Sequence, residues 1–239
     1  MQGDYYRRMA RPVVPLVARV ALALAVGTPG LVSAAQVEEV VAIVRSPAAP
    51  ARRIVTLGEV EEEARIALVS RGAVLAATHP LDAPALKAGL DWLIDQILLD
   101  AEATRLQVFE TDRAEAEAEL DRFAREFATR TEFEGFLKRL DMSEGDLEAI
   151  LRRMLRVRRY VESRVAHAAQ VSEADLNAWM AAHRAEPVAK NRQAARSKLG
   201  EERVAEETLA LVREVRARAE IRLIADPEDL VRSEWPEGT

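Results

Sequence analysis

The most concentrated chemistry in this chain lies in a run of arginines within one predicted helix. Guanidinium groups at this density could bind an acidic partner or the phosphates of a nucleic acid. The same segment carries a leucine-rich stripe at helical spacing and nearby glutamates, which favours a solvated face whose charges pair within the chain. The six arginines are Arg152, Arg153, Arg156, Arg158, Arg159 and Arg164.

Residues suited to catalysis or metal binding are sparse. The chain has no cysteine, which excludes disulfides, thiolate metal sites and a cysteine nucleophile. Its three histidines, His79, His167 and His183, are far apart, and none has a second histidine or a carboxylate four residues on. Phosphate-binding glycine loops and nucleophile elbows do not occur either. We therefore predict no catalytic residue, no metal site and no cofactor.

Five phenylalanines lie near one another in the sequence and could line a groove for an apolar peptide. Their helical spacing favours a second interpretation, in which they form part of a hydrophobic core. The sequence leaves the residues of any peptide-binding site unknown. The phenylalanines are Phe109, Phe123, Phe127, Phe133 and Phe136.

The composition is that of a folded, helical protein. Charged residues make up 31% and hydrophobic residues 49%, which argues against a disordered chain, and only 10 glycines and 10 prolines interrupt it. Residues 1–35 carry four arginines and one aspartate, so the net charge of −6 becomes −9 without them. A chain this acidic is a poor nucleic-acid binder, and we predict no nucleic-acid partner.

Residues 1–35 have the features of a secretory signal peptide. A basic start precedes the apolar run VALALAVG, and small residues follow, with cleavage predicted after Ala34 or Ala35. The alternative is an uncleaved inner-membrane anchor, but the uncharged run at 20–35 is shorter than the roughly 20 residues that span a bilayer. We therefore predict export to the periplasm and no stable membrane insertion after cleavage.

Strand-like segments stand at both ends of the remaining chain. The runs at 39–44 and 53–55 predict two short strands, and the run at 221–224 predicts a third. Because isolated two-stranded pieces are marginal, we predict that the first and last strands pair and bring the two ends together. Residues 226–239 are rich in proline and acidic residues, which predicts a disordered tail.

Between these strands, apolar spacings of three and four residues and capping patterns predict six or seven helices. We therefore expect a mainly α fold with one helical domain at 36–225, in which the last helix and strand at 188–224 return to the core. The predicted helix starts are Thr56, Leu86, Asp112, Thr131, Ser143, Ser172 and Val188.

In this order, the segments resemble the N-terminal chaperone domain of SurA and related PpiC-type periplasmic folding factors. The residues that carry the resemblance are the strand VVAIV, the LI-x-x-x-LL helix at 93–99, the TD helix start at 111–112 and the VSEADL helix at 171–176. Ala101-Glu102 stands in the reverse of the family's order. The resemblance covers residues 39–180, and the last helix and strand look like the family's closing segment.

In much of that family a parvulin-type prolyl isomerase domain, on the order of 90 residues, follows the VSEADL helix. Here only the residues around 185–188 separate this helix from the next, so Glu186-Pro187 marks the place where the insert is missing. The resemblance therefore implies an ATP-independent chaperone or holdase without isomerase activity, and not an enzyme.

The partners implied by the resemblance are unfolded or partly folded envelope proteins, including outer-membrane proteins. The alternative is a non-catalytic scaffold or interaction protein of the envelope with one dedicated partner, and the sequence does not separate the two. A prolyl isomerase is the third hypothesis, and the missing insert argues against it. Client identity and oligomeric state do not follow from the sequence.

Overall fold

The computed structural model describes residues 39–107 and 109–225. The predicted signal peptide, with its cleavage positions Ala34 and Ala35, and the predicted tail at 226–239 lie outside the described residues. The described chain forms seven α-helices, two short 3-10 turns and one three-stranded antiparallel sheet. The prediction of a mainly α fold with strands at its two ends is confirmed. None of the described helices is both long and apolar enough to cross a membrane.

The helices and strands follow one another along the chain without a long irregular segment. Two 3-10 turns, at Val74–Ala77 and Pro187–Lys190, interrupt the connections. The elements are β1 (Val40–Arg45), β2 (Arg53–Thr56), α1 (Leu57–Val69), α2 (Ala83–Leu106), α3 (Arg113–Ala124), α4 (Arg130–Arg139), α5 (Glu144–Val165), α6 (Glu173–Ala182), α7 (Arg192–Arg218) and β3 (Glu220–Leu223).

Side-chain caps decide where the helices begin. Asp112 and Ser143 open complete capping boxes, in which the cap accepts from a backbone amide three residues on and that residue's carboxylate accepts in return. The predicted start at Thr131 is wrong, because the Thr129 hydroxyl accepts from the Glu132 amide at 3.2 Å and so caps α4 two residues earlier.

Two other predicted starts move for the same reason. The second long helix was expected from Leu86, but the Asp82 carboxylate accepts from the Ala85 amide at 2.9 Å and starts α2 at Ala83. The last helix was expected from Val188. It begins four residues later, because the Asn191 side chain accepts from the amides of the first turn of α7 and a 3-10 turn precedes it.

The sheet joins the two ends of the described chain as predicted. β1 lies in the centre, with β2 and β3 antiparallel on its two sides. Ala42 lies opposite Val55 and Leu223, and Ile43 lies opposite Ile54 and Arg222. Because successive strand residues point to opposite faces, the Ala42 side faces the helices and the Ile43 side faces outward. The sequence predicted pairing of the first and last strands, and the second predicted strand, β2, joins their sheet on the other side of β1.

Three larger hydrophobic clusters and a small fourth one around Leu86 hold the helices. The first lies under the sheet and is formed by residues of β1, α2, α5 and α7, including Leu93, Leu98 and Val215. The second lies between α1, α3, α4 and α5. The third joins α6, the second 3-10 turn and the start of α7, and it is centred on Leu176 and Trp179. We refer to residues 171–200, which contain the third cluster, as the hairpin lobe.

α1 and α2 approach closely at Gly89. A Cβ built on this buried glycine would lie 2.8 Å from the Cβ of Ala64 and 3.5 Å from Cγ1 of Val60. Cβ atoms cannot rotate away, so the helices would have to separate. Close packing of the two helices therefore requires glycine at position 89, although glycine is a poor helix former.

We predict that Gly89→Ala lowers the free energy of unfolding by about 1–3 kcal/mol, the usual cost of overpacking. Gly135→Ala is the matched control in α4, where the nearest heavy atom is Nη1 of Arg139 at 3.9 Å. This variant should be neutral or more stable by up to about 1 kcal/mol, because alanine favours the helix. Urea denaturation measures both, and equal effects of the two substitutions would contradict the packing argument.

Candidate functional site

The arginine run on α5 pairs with carboxylates of four helices. Arg153 pairs with Glu63 of α1 and Arg156 with Asp100 of α2, and both arginines are largely buried. Five of the six arginines are therefore paired with carboxylates of the same chain, as the paired-charge interpretation predicted, and Arg164 is exposed near the end of α5. The face is less solvated than predicted, because it lies against neighbouring helices. The further pairs are Arg152–Glu148, Arg158–Glu119 and Arg159–Glu115.

Next to this contact, α1 carries three glutamates on one side. Glu63 is buried against Arg153, and Glu59 pairs with Arg53. Burial, assisted by the charges of Glu63, Glu59 and Asp146, raises the pKa of Glu62 to about 7 against the opposing effect of Arg153. Burial also raises the pKa of Glu59, although Arg53 acts in the opposite direction. The Glu62 carboxylate can therefore take up a proton near neutral pH.

The phenylalanines do not form a groove. Phe123, Phe127, Phe133 and Phe136 are buried together in the second cluster, with ring centroids 5.3 to 6.3 Å apart. Phe109 lies apart from them, against Tyr160 in the first cluster at 5.6 Å. The core interpretation is confirmed for four of the five residues, and the partly buried Phe109 supports the first core.

The three histidines belong to different segments of the described chain. His183 stacks on Trp179 with ring centroids 4.1 Å apart, at the end of α6. His79 lies in the loop after α1, where its carbonyl accepts from the buried Arg65 at 2.6 Å. The exposed His167 follows α5. Within the described residues, no group of three His, Asp or Glu side chains could hold a metal ion.

A shallow cleft lies between α1, α3 and α5. Its empty volume of about 190 Å³ includes open solvent, so the cleft is a surface depression and not an enclosed pocket. The cleft therefore gives little reason to expect that a phosphate or another small molecule binds there. Its lining residues are Ser70, Glu119, Arg122, Phe123, Glu126 and Leu151.

The middle of α7 is a helical stretch that contributes no buried residue to any cluster. Leu199 is buried in the third cluster and Leu211 in the first, but no residue between them is buried. We call residues 200–210 the strut, because this stretch connects the hairpin lobe to the helical body. Leu209 projects from it with 62% of its surface exposed.

The linker between α5 and α6 runs beside the strut. Arg203 donates to the Gln170 carbonyl at 3.2 Å, and Arg196 donates to the Val171 carbonyl at 2.8 Å. Gly200 lies next to the linker, since a Cβ there would be 3.5 Å from the Ala169 carbonyl oxygen. These contacts fix the direction in which the lobe leaves the body. The sequence signal for the strut was GEERVAEET, a helical run with a single large apolar residue.

The break at Glu186-Pro187 is a compact turn. Pro187 begins the second 3-10 turn, and Val188 and Ala189 pack into the third cluster. The Asn191 side chain then starts α7 by accepting from the amides of two residues in its first turn at 3.0 Å. The short connection between α6 and α7 is thus stabilised by packing into the third cluster and by the Asn191 cap.

Comparisons with protein-family models, with curated proteins and with solved structures found no match for this chain. The relation to SurA-like chaperones consequently rests on the residues and their order, and it enters the functional argument below as a proposal.

We predict that the stability of the protein depends on pH through Glu62. Its pKa is raised in the folded state from an ordinary 4.5 to about 7, so protonation favours folding. This contribution is fully present below about pH 4.5 and is lost as the pH rises through 7. Glu62→Gln removes the titration, so its stability relative to the unchanged protein should increase between pH 5 and pH 8.

Urea denaturation at the two pH values measures this difference. Glu201→Gln, at an exposed position of α7, is the control, and its effect on stability should be the same at both. A Glu62→Gln effect that does not vary with pH would show that the carboxyl does not take up a proton in this range.

Proposed function

We propose that this protein is an ATP-independent chaperone of the periplasm that holds unfolded or partly folded envelope proteins, including outer-membrane proteins. It acts by binding alone, without prolyl isomerase activity. The export signal predicted at residues 1–35 and the ordered resemblance to SurA-like factors support the cellular role. The binding surface proposed for clients is the strut together with the linker beside it.

The observation that carries this proposal is the separation of the hairpin lobe from the helical body. The lobe has its own core around Leu176 and Trp179, and the strut that supports it contains no buried residue. A segment flanked by two packed units offers a long surface that an extended chain can follow. Unfolded clients differ in sequence, so such a surface needs length and adaptability more than a shaped pocket.

The chemistry of the strut suits weak and broad binding. Leu209 supplies an exposed apolar contact, and Ala205 lies one helical turn before it on the same side. Four glutamates and one arginine occupy the rest of the strut and keep it hydrated. An apolar contact surrounded by charges binds a single client segment weakly, and several such contacts along one chain add to each other.

We predict that an unfolded outer-membrane protein crosslinks preferentially to the strut. The chain has no cysteine, so a photoreactive probe can be attached to one introduced cysteine at a time. Cysteines at Ala205 and Leu209 should give the highest yields. Ala88 on α2 and Ala149 on α5 are matched controls, because they are exposed alanines on helices outside the strut.

The same protein should slow the aggregation of the client when the client is diluted from urea into an excess of chaperone. Leu209→Glu should weaken this protection by several fold, and Ala217→Glu, which adds the same charge to α7 outside the strut, should not. If the protein protects the client but the strut does not crosslink to it, the chaperone proposal stands and the client-binding site lies elsewhere on the protein. No protection at any excess, with one stoichiometric partner recovered from envelope extracts, would favour the dedicated scaffold instead.

We also predict that the protein does not accelerate prolyl isomerisation in a protease-coupled assay. The reason is the connection from α6 to α7 through the nine residues 183–191, at the place where much of the family that the chain resembles carries the isomerase domain. A parvulin domain assayed in parallel is the positive control. Catalysis above the uncatalysed rate would contradict the proposal of binding alone.

A further inference from the structure

β3 is an edge strand with one open side. Among the described residues the strand order is β2-β1-β3, so β3 pairs with β1 on one side only. The Ile224 amide donates to the Val41 carbonyl at 2.9 Å, which makes these two residues a hydrogen-bonded pair. Because bonded and non-bonded pairs alternate in an antiparallel ladder, the backbone groups of Ile221 and Leu223 point to the open side.

This edge carries exposed apolar side chains as well as charged ones. Leu223 is 62% exposed and Ile224 is 46% exposed, directly beside a strand of the core. An open apolar edge favours pairing with another strand, and sheet proteins commonly block it with charges, prolines or bulges. The two charges of β3, Glu220 and Arg222, have opposite signs and lie on the same outward face, opposite Arg45 and Ile43 of β1.

We infer that the open side of β3 pairs antiparallel with β3 of a second copy of this chain. The contact is related by a two-fold axis, so each copy contributes the same residues. The two three-stranded sheets then form one six-stranded sheet in the order β2-β1-β3-β3-β1-β2. The exposed Leu223 is covered by this contact, at the edge where the single chain leaves it in water.

The charges on β3 select one register. The open-side groups belong to odd-numbered residues, so a symmetric pair can be centred on Glu220, Ile221, Arg222 or Leu223. Centring on Leu223 places Arg222 of each copy opposite Ile224 of the other and pairs no opposite charges among the described residues. Centring on Glu220 or on Arg222 places two like charges directly opposite each other. Centring on Ile221 places Glu220 of each copy opposite Arg222 of the other, twice, and lets the two Ile221 residues exchange both backbone hydrogen bonds.

This pairing is independent of the proposed chaperone function, since it uses neither the strut nor the linker. The strands are short, so the contact belongs among the small interfaces, below about 1,200 Å², that form weak and reversible dimers. Sedimentation equilibrium over a concentration series is therefore the suitable measurement. We expect a monomer–dimer equilibrium, because the two-fold pairing uses up the open side of β3 in each copy.

Two single substitutions test the register. Glu220→Arg makes both β3 charges positive, and Arg222→Glu makes both negative, so self-association should weaken at least about tenfold in each variant. Mixing the two variants restores opposite charges across the contact, and the average mass of the mixture should rise above that of either variant alone. The double substitution E220R/R222E exchanges the charges within one chain and should dimerise as the unchanged protein does.

Arg52→Glu is the control for net charge. It makes the same change in charge as Arg222→Glu, but at an exposed position before β2, at the other edge of the sheet. It should leave the dimer intact. Circular dichroism and thermal unfolding verify that each variant is folded. A protein that stays monomeric to its solubility limit would overturn the inference. The inference would also be overturned if neither single substitution weakened the dimer, or if the mixed variants did not associate. In that case the open side of β3 would be available to a strand of another protein.

Discussion

The antiparallel contact between β1 and β3 is the constraint on which the rest of the fold depends. The two strands are separated by almost the whole described chain, and neither is stable alone. Because β3 must return to β1, the chain needs a long element that leads back from the hairpin lobe. α7 fills this role with 27 residues, about 40 Å at the rise of an α-helix.

The exposed strut follows from the same requirement. The first third of α7 closes the hairpin lobe, and its last third packs under the sheet, where Arg216 pairs with Asp91 and Asp95 of α2. A helix with two separate anchors leaves its middle without a buried residue. Arg203 and the linker stabilise this middle from one side. The surface that we assign to clients is therefore a consequence of chain closure.

The sequence predicted elements better than it predicted their contacts. Local chemistry decided the caps at Asp112, Ser143 and Ser172, and the apolar runs at the two ends decided the sheet. Arg65 shows the limit of this reasoning. It stands among glutamates in α1 like a surface residue, yet it is fully buried, because it donates to carbonyls of a loop that folds back beneath it.

The candidate site was hidden from the sequence for a similar reason. Exposure of the strut depends on where α7 is anchored, and its second anchor belongs to the first cluster, which forms from segments far apart in the chain. The open edge of β3 differs in this respect, because its two charges lie within four residues of one another in the sequence. Their signs alone show which register would pair opposite charges between two copies. Pairing of two copies along β3 would also hold each β3 against its β1. Any species that binds only the folded chain stabilises it, so association and closure of the fold support each other.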